Sequence, residues 1–156
     1  MKRSRPTGFT LIELTVVLVI AALLFAISVP SLSKLSEARD YHEAVRHVVS
    51  AANSARSMAY RTQGPVDLVF YVDDMQVAVM SEGAAKGEVE LLRLPDSLEL
   101  TVTSAAALSE TDDVSVIRFY PAGGASGGDI SLVRHSGGGT LIQIGWLLAD
   151  IQQKRL

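Results

Sequence analysis

The chain has 156 residues, 48% of them hydrophobic and 20% charged, and it contains no cysteine. That length supports one compact domain, and the lack of cysteine excludes disulfides, thiolate nucleophiles and Cys-based zinc sites. Formal net charge is −3, from 14 basic and 17 acidic residues; a chain with no basic excess is a poor default for nucleic acid, where affinity comes mainly from neutralising phosphates.

The first segment is basic and short, and the second is apolar and long. Residues 1–8 read MKRSRPTG, with Lys2, Arg3 and Arg5, and residues 9–29 carry one charged side chain, Glu13. A basic start before an apolar run can be a secretory signal peptide, with Ala26-Ile27-Ser28 as a weak cut site. It can also be a plain membrane anchor, oriented with its cations in the cytoplasm. Two features argue against both. The run has the length a bilayer requires, about 20 residues. It also holds a carboxylate, which costs roughly 2.5–3.5 kcal/mol at a bilayer centre and therefore calls for a partner and a role.

The string Gly8-Phe9-Thr10-Leu11-Ile12-Glu13 closely resembles the class III signal of type IV pilins and type II secretion pseudopilins. The resemblance implies a prepilin leader of residues 1–8, cut by a prepilin peptidase after Gly8, and N-methylation of the new first residue, Phe9. It also implies an assembly role for Glu13, paired with the N-terminal amine of a neighbouring subunit. The physics is compatible: opposite charges attract strongly in low dielectric, and either one alone there is costly. Loss of the leader would leave 11 basic residues against 17 acidic ones, a clearly acidic mature chain.

Pro30 lies where the apolar run ends, and a kink is expected there. Beyond it Leu32, Leu35, Ala38, Tyr41, Val45, Val48, Val49, Ala52, Ala55 and Met58 or Ala59 recur at three- and four-residue spacing, one face of an amphipathic helix. Gly64-Pro65 ends it. A helix from residue 9 to about 61 would span roughly 80 Å. The expected divisions are therefore a leader (1–8), a transmembrane segment (9–29), an amphipathic half-helix (30–63) and a β-rich domain (65–156). After Pro65 the period becomes two. Strands are predicted over 66–72, 76–80, 88–94, 97–103, 114–120, 129–134 and 140–148, with a small flexible segment at 81–87 and a loop at 105–113. The fold class is α+β: a pilin-like long helix packed on antiparallel sheet.

The last third carries a second resemblance. Phe119-Tyr120-Pro121-Ala122-Gly123, then Ser126-Gly127-Gly128-Asp129-Ile130-Ser131-Leu132, then Leu141-Ile142-Gln143-Ile144, look like the GspH/FimT branch of the family. Gly145-Trp146 keeps that branch's late glycine but not the basic residue that often follows it.

Other constellations read as structure. Residues 123–128 and Gly137-Gly138-Gly139 join strands and lack the Gly-Lys-Ser/Thr of a phosphate loop. His42 and His47 are five apart and share no helix face. Asp73-Asp74 and Asp112-Asp113 lack the spaced oxygen ligands of a calcium loop. The serines sit in no catalytic signature. Lys154 and Arg155 read as a solvated terminus. Their alternative is DNA contact, with Arg118, Arg134 and His135 as the other cations within reach.

The reading is a structural subunit without enzyme activity or cofactor: a GspH-type minor pseudopilin at or near the tip of a periplasmic pseudopilus. It would be a single-pass protein of the bacterial inner membrane with its C-terminal domain in the periplasm. Its implied partners are other minor and major pseudopilins, the prepilin peptidase and the secretion-system assembly platform. The alternative is a FimT-like minor pilin that binds DNA for transformation, against which the acidity of the mature chain argues.

Overall fold

The structure, a computed structural model, describes residues 9–81, 91–104 and 113–156, and for residues 25–36 the backbone alone. The leader with Gly8, the side chains of Leu32 and Leu35, the 82–87 segment, the start of the strand expected at 88, and Asp112 lie outside the described residues. Residues up to Ala38 and Arg39–Leu156 are two compact units. One helix, α1 (Leu11–Thr62), is assigned along both. Pro30 does not end it, and its last turn gives way at Gln63 (φ 54) and Gly64.

Among its described residues the second unit has eight strands. β1 (Val66–Tyr71), β2 (Gln76–Ser81), β3 (Leu91–Arg93) and β5 (Val114–Phe119) form one sheet in the order β3-β2-β1-β5. β4 (Leu98–Ser104), β6 (Gly128–Arg134), β7 (Gly139–Ile144) and β8 (Ile151–Arg155) form the other, in that order. Every pairing is antiparallel. This is the α+β class expected from the change of period at Pro65.

Side-chain alternation explains the core. On β1, Val66, Leu68 and Phe70 are fully buried, and Ile117 and Phe119 of β5 join them. The second sheet contributes Leu98, Leu100, Ile130, Leu132, Ile142 and Ile144 to the same cluster. From the helix come Tyr41, Ala44, Val45, Val48, Ala52, Ala55 and Ala59. Four of these seven are alanine, so the helix backbone lies close to the sheets, and the larger apolar volume comes from the strands. Each fully buried Val, Leu, Ile or Phe contributes about 1.5–3 kcal/mol relative to exposure. Val49 and Met58, expected on the stripe, sit at its edge, half-buried.

The outward face of the first sheet is pinned by a cross-strand pair. Asp67 and Arg118 are register partners on β1 and β5, and the guanidinium donates to both carboxylate oxygens at 2.6 and 2.7 Å. Such fork-to-fork geometry holds two strands in register as well as in contact.

The C-terminal strand corrects the sequence reading. The strand expected over 140–148 stops at Ile144, and the chain reverses and returns as β8 along β7. Gly145 and Asp150 close the reversal. The Gly145 N–H donates to the Asp150 carbonyl at 2.9 Å, and the Asp150 carboxylate occupies the space a Cβ at position 145 would need. Ala149 closes the turn with φ 51. Lys154 and Arg155 are therefore in an edge strand. Their side chains are exposed, but their backbone is paired, with Leu141 and Thr140 as register partners.

The glycine-rich connection from β5 to β6 is an ordered turn. Gly123, Gly124 and Gly127 have φ of 96, 81 and 77. Tyr120 N–H donates to the Gly124 carbonyl at 3.2 Å, Ser126 N–H to the Arg118 carbonyl at 2.8 Å, and Ala125 bridges Phe119. A Cβ on Gly124 would lie 2.8 Å from the Trp146 carbonyl oxygen, whereas one on Gly123 would meet nothing within 4 Å. Gly123→Ala should therefore cost only left-handed backbone strain, on the order of 1–3 kcal/mol. Gly124→Ala should cost more, because two backbone segments must also separate. Paired thermal melts of the two variants read the difference, and equal melting points would refute it.

Candidate functional site

The start of α1 holds the residues the sequence singles out for assembly. Thr10 precedes the first helical residue, Leu11, and Glu13 follows it by three positions. The Thr10 N–H and hydroxyl both donate to Glu13 Oε2 at 3.4 Å, and Glu13 N–H donates to Thr10 Oγ1 at 3.4 Å. This is a capping box. The Thr10 N–H gains a side-chain acceptor this way, and the Glu13 N–H adds Thr10 Oγ1 to its shorter bond, 3.1 Å, with the Thr10 carbonyl. The side-chain contacts are at the long end of hydrogen-bond distances, which leaves the exposed carboxylate open to a stronger partner. The Glu13 charge also sits at the positive end of the helix macrodipole. Sequence reasoning credited Glu13 with an intermolecular partner and missed this local one, although the Thr-x-x-Glu spacing carries it.

Around Glu13 the surface is apolar. Phe9, Leu11 and Ile12 are 77%, 85% and 72% exposed, and the large apolar side chains onward to Leu24 are more than half exposed. Among the described residues no helix is long and apolar enough to cross a membrane. The apolar run of the sequence continues to residue 29, past Leu24, the last side chain described in it.

The cations weighed for DNA contact divide into three places. Arg118 is held by Asp67. The His135 ring nitrogen Nδ1 lies 2.6 Å from the Ser97 carbonyl. Arg134, Lys154 and Arg155 come together around a pocket of about 500 Å³ that Tyr41 and His42 also line. Arg134 stacks over the Tyr41 ring, 5.0 Å from its centroid, a cation–π contact that fixes the guanidinium. The Tyr41 hydroxyl hydrogen-bonds Thr140 on β7, 99 positions away in sequence, which ties the helix to this edge of the sheet.

The remaining candidates take structural places. His47 stands 3.4 Å from Glu43, one turn away on α1, and the His42 ring packs near Tyr41. Among the described residues no three of His, Asp and Glu gather as a metal site would require. Asp73 and Asp74 lie in the β1–β2 turn, and the Asp113 carbonyl accepts from Val72 N–H at 3.1 Å. Residues 135–138 form the β6–β7 turn, with Gly137 N–H donating to the Arg134 carbonyl, and Gly139 opens β7.

Two family models match the chain. Residues 3–29 match the prokaryotic N-terminal methylation motif, and residues 44–147 match the type II transport protein GspH. Searches for similar curated proteins and for similar solved structures return no match.

Proposed function

The chain belongs to the GspH family of type II transport proteins, with a pilin-type methylation motif at its start, and from that premise we propose that it is a minor pseudopilin of a type II secretion system. The observation that carries the reading is the order of the two matches: a methylation motif over 3–29 leads into a GspH domain over 44–147 of the same chain. The family role is structural, which fits a site made of a capped helix start and exposed apolar side chains.

In this reading a prepilin peptidase cuts after Gly8, Phe9 becomes the methylated first residue, and residues 9–29 hold the subunit in the inner membrane before assembly. Residues 30–63 continue the helix, and residues 65–156 form the periplasmic domain. Glu13 exchanges its weak local bonds for the amine of a neighbouring subunit, so that entry into the filament removes two costly charges at once. The subunit works at or near the tip of the pseudopilus, among other minor and major pseudopilins and against the assembly platform, in the export of folded proteins across the outer membrane.

Mass spectrometry of the chain purified from cells tests the processing step. The expected first residue is N-methyl-Phe9. A mature chain beginning near Val29 would return the N-terminus to an ordinary signal peptide. Deletion of the chain should abolish secretion by the same cells.

One observation favours a second reading, a FimT-like minor pilin that binds DNA: Arg134, Lys154 and Arg155 share a pocket into which, among the described residues, no Asp or Glu side chain reaches. Salt-sensitive DNA retardation by the full chain, removed in Lys154→Ala/Arg155→Ala, would move the assignment to it.

A further inference from the structure

Trp146, Leu147 and Leu148 form the turn between β7 and β8 and are 71%, 64% and 68% exposed. Three consecutive large apolar side chains on a surface call for a cause, and here the turn that carries them is fixed. The Trp146 carbonyl accepts from Ala125 N–H at 2.9 Å, Gly145 N–H donates to the Asp150 carbonyl at 2.9 Å, and the turn rests on Gly124 so closely that no Cβ fits between. Beside Leu148 lies a groove of about 500 Å³ along the last turns of α1. Tyr60 and Tyr120, both exposed, line it together with Arg56 and Arg61. No carboxylate lines the groove, and neither arginine belongs to an ion pair among the described residues.

Trp, Tyr and Arg are the residue types that most often dominate interface energies. A contiguous apolar patch with a polar rim marks an interaction site. Preformed geometry removes part of the ordering cost of binding. The two unpaired guanidinium forks select what arrives: they suit carboxylates bidentately and repel a cationic surface.

We propose that this face docks a neighbouring pilin-like subunit through an apolar surface rimmed by carboxylates. The chemistry of the partner follows from the groove; its being a pilin-like subunit rests on the function proposed above. The apolar turn would supply most of the affinity, and Arg56 and Arg61 would supply the choice of partner.

The chain has no cysteine, so Ser57→Cys, in the lining of the groove, gives a single thiol in the full-length protein. A thiol-reactive benzophenone attached there, in cells that secrete through their own system, is expected to photocross-link a second pilin-like subunit at an acidic segment. Mass spectrometry identifies the adduct. Trp146→Ala/Leu148→Ala and, separately, Arg56→Glu/Arg61→Glu should each lower its yield about tenfold or more. The same probe at exposed Glu99 on β4 should give no such adduct. An adduct to a second copy of the chain, to lipid alone, or to nothing overturns the proposal, as does an adduct that survives both pairs of substitutions. Secretion by the same cells separates the two readings. If deleting the chain leaves secretion intact, the pseudopilin assignment fails. If secretion needs the chain but Ser57→Cys captures no pilin-like subunit, only the docking face fails.

Discussion

Glu13→Gln is expected to stop the chain from entering a filament while leaving the start of α1 capped. The two roles of Glu13 separate at this substitution. The capping box needs an acceptor on a side chain of that length three residues after Thr10, and glutamine supplies one as well as glutamate does. The intersubunit role needs a negative charge, which glutamine lacks. The opposing amine, which the proposed cut after Gly8 would create, would then enter a low-dielectric core without its counter-ion. Breaking a buried pair by removing one partner costs about 3–5 kcal/mol, which is on the order of two to four powers of ten in an association constant. Glu13→Ala loses both roles. The expected pattern is that Gln and Ala fail alike in filament yield and secretion, while amide exchange over the first turn of α1 is faster in Ala alone. Normal filaments from the Gln variant would mean that Glu13 acts only as a helix cap.

The legibility of this molecule varied with how locally each feature is encoded. The inner face of β1 was legible because Val66, Leu68 and Phe70 alternate with Asp67, Val69 and Tyr71; Asp67 and Tyr71 are half-buried, while Val69 is buried in a second, smaller cluster with Ala78 and Val116. The helix stripe was legible through Tyr41, Val45 and Val48. Ala44, equally buried, was not placed on the stripe, although Ala52 and Ala55 were. β8 was missed for the opposite reason. Gln152, Gln153, Lys154 and Arg155 are exposed and show no alternation, and the strand exists through backbone pairing to β7, an edge position where charged side chains are the usual protection. The candidate site divided in the same way. The Thr10-x-x-Glu13 spacing is local and carries the capping box, although Glu13 was credited only with an intersubunit partner. The gathering of Tyr41, Arg134, Lys154 and Arg155, and that of Tyr60, Tyr120 and Leu148, depend on sheet topology that no local pattern encodes.

Phe119→Ala should be among the most damaging single truncations in the domain, and its neighbour Tyr120→Ala among the mildest. Phe119 is fully buried at the end of β5, opposite Val66 in register and bridged to Ala125, and it belongs to the cluster shared by the helix and both sheets. Removing its ring deletes apolar burial and leaves a cavity between elements held by strand pairing, which limits collapse. The expected loss is about 3–5 kcal/mol, a large fraction of the ~5–15 kcal/mol typical of a whole domain. Tyr120, one residue later, points the other way, half in water and into the groove beside Leu148. Its truncation should change stability by no more than about 0.5 kcal/mol. Chemical denaturation of the full-length chain in detergent checks both, with the midpoint shifted far in Phe119→Ala and little in Tyr120→Ala. Equal small shifts would remove Phe119 from the core described here. The docking assay should reverse the ranking: Tyr120→Ala, folded normally, should lower the yield of the Ser57→Cys adduct. Fold and partner recognition would then be carried by adjacent residues on opposite sides of one strand end, and loss of the adduct without loss of the fold is the signature of a surface made for binding.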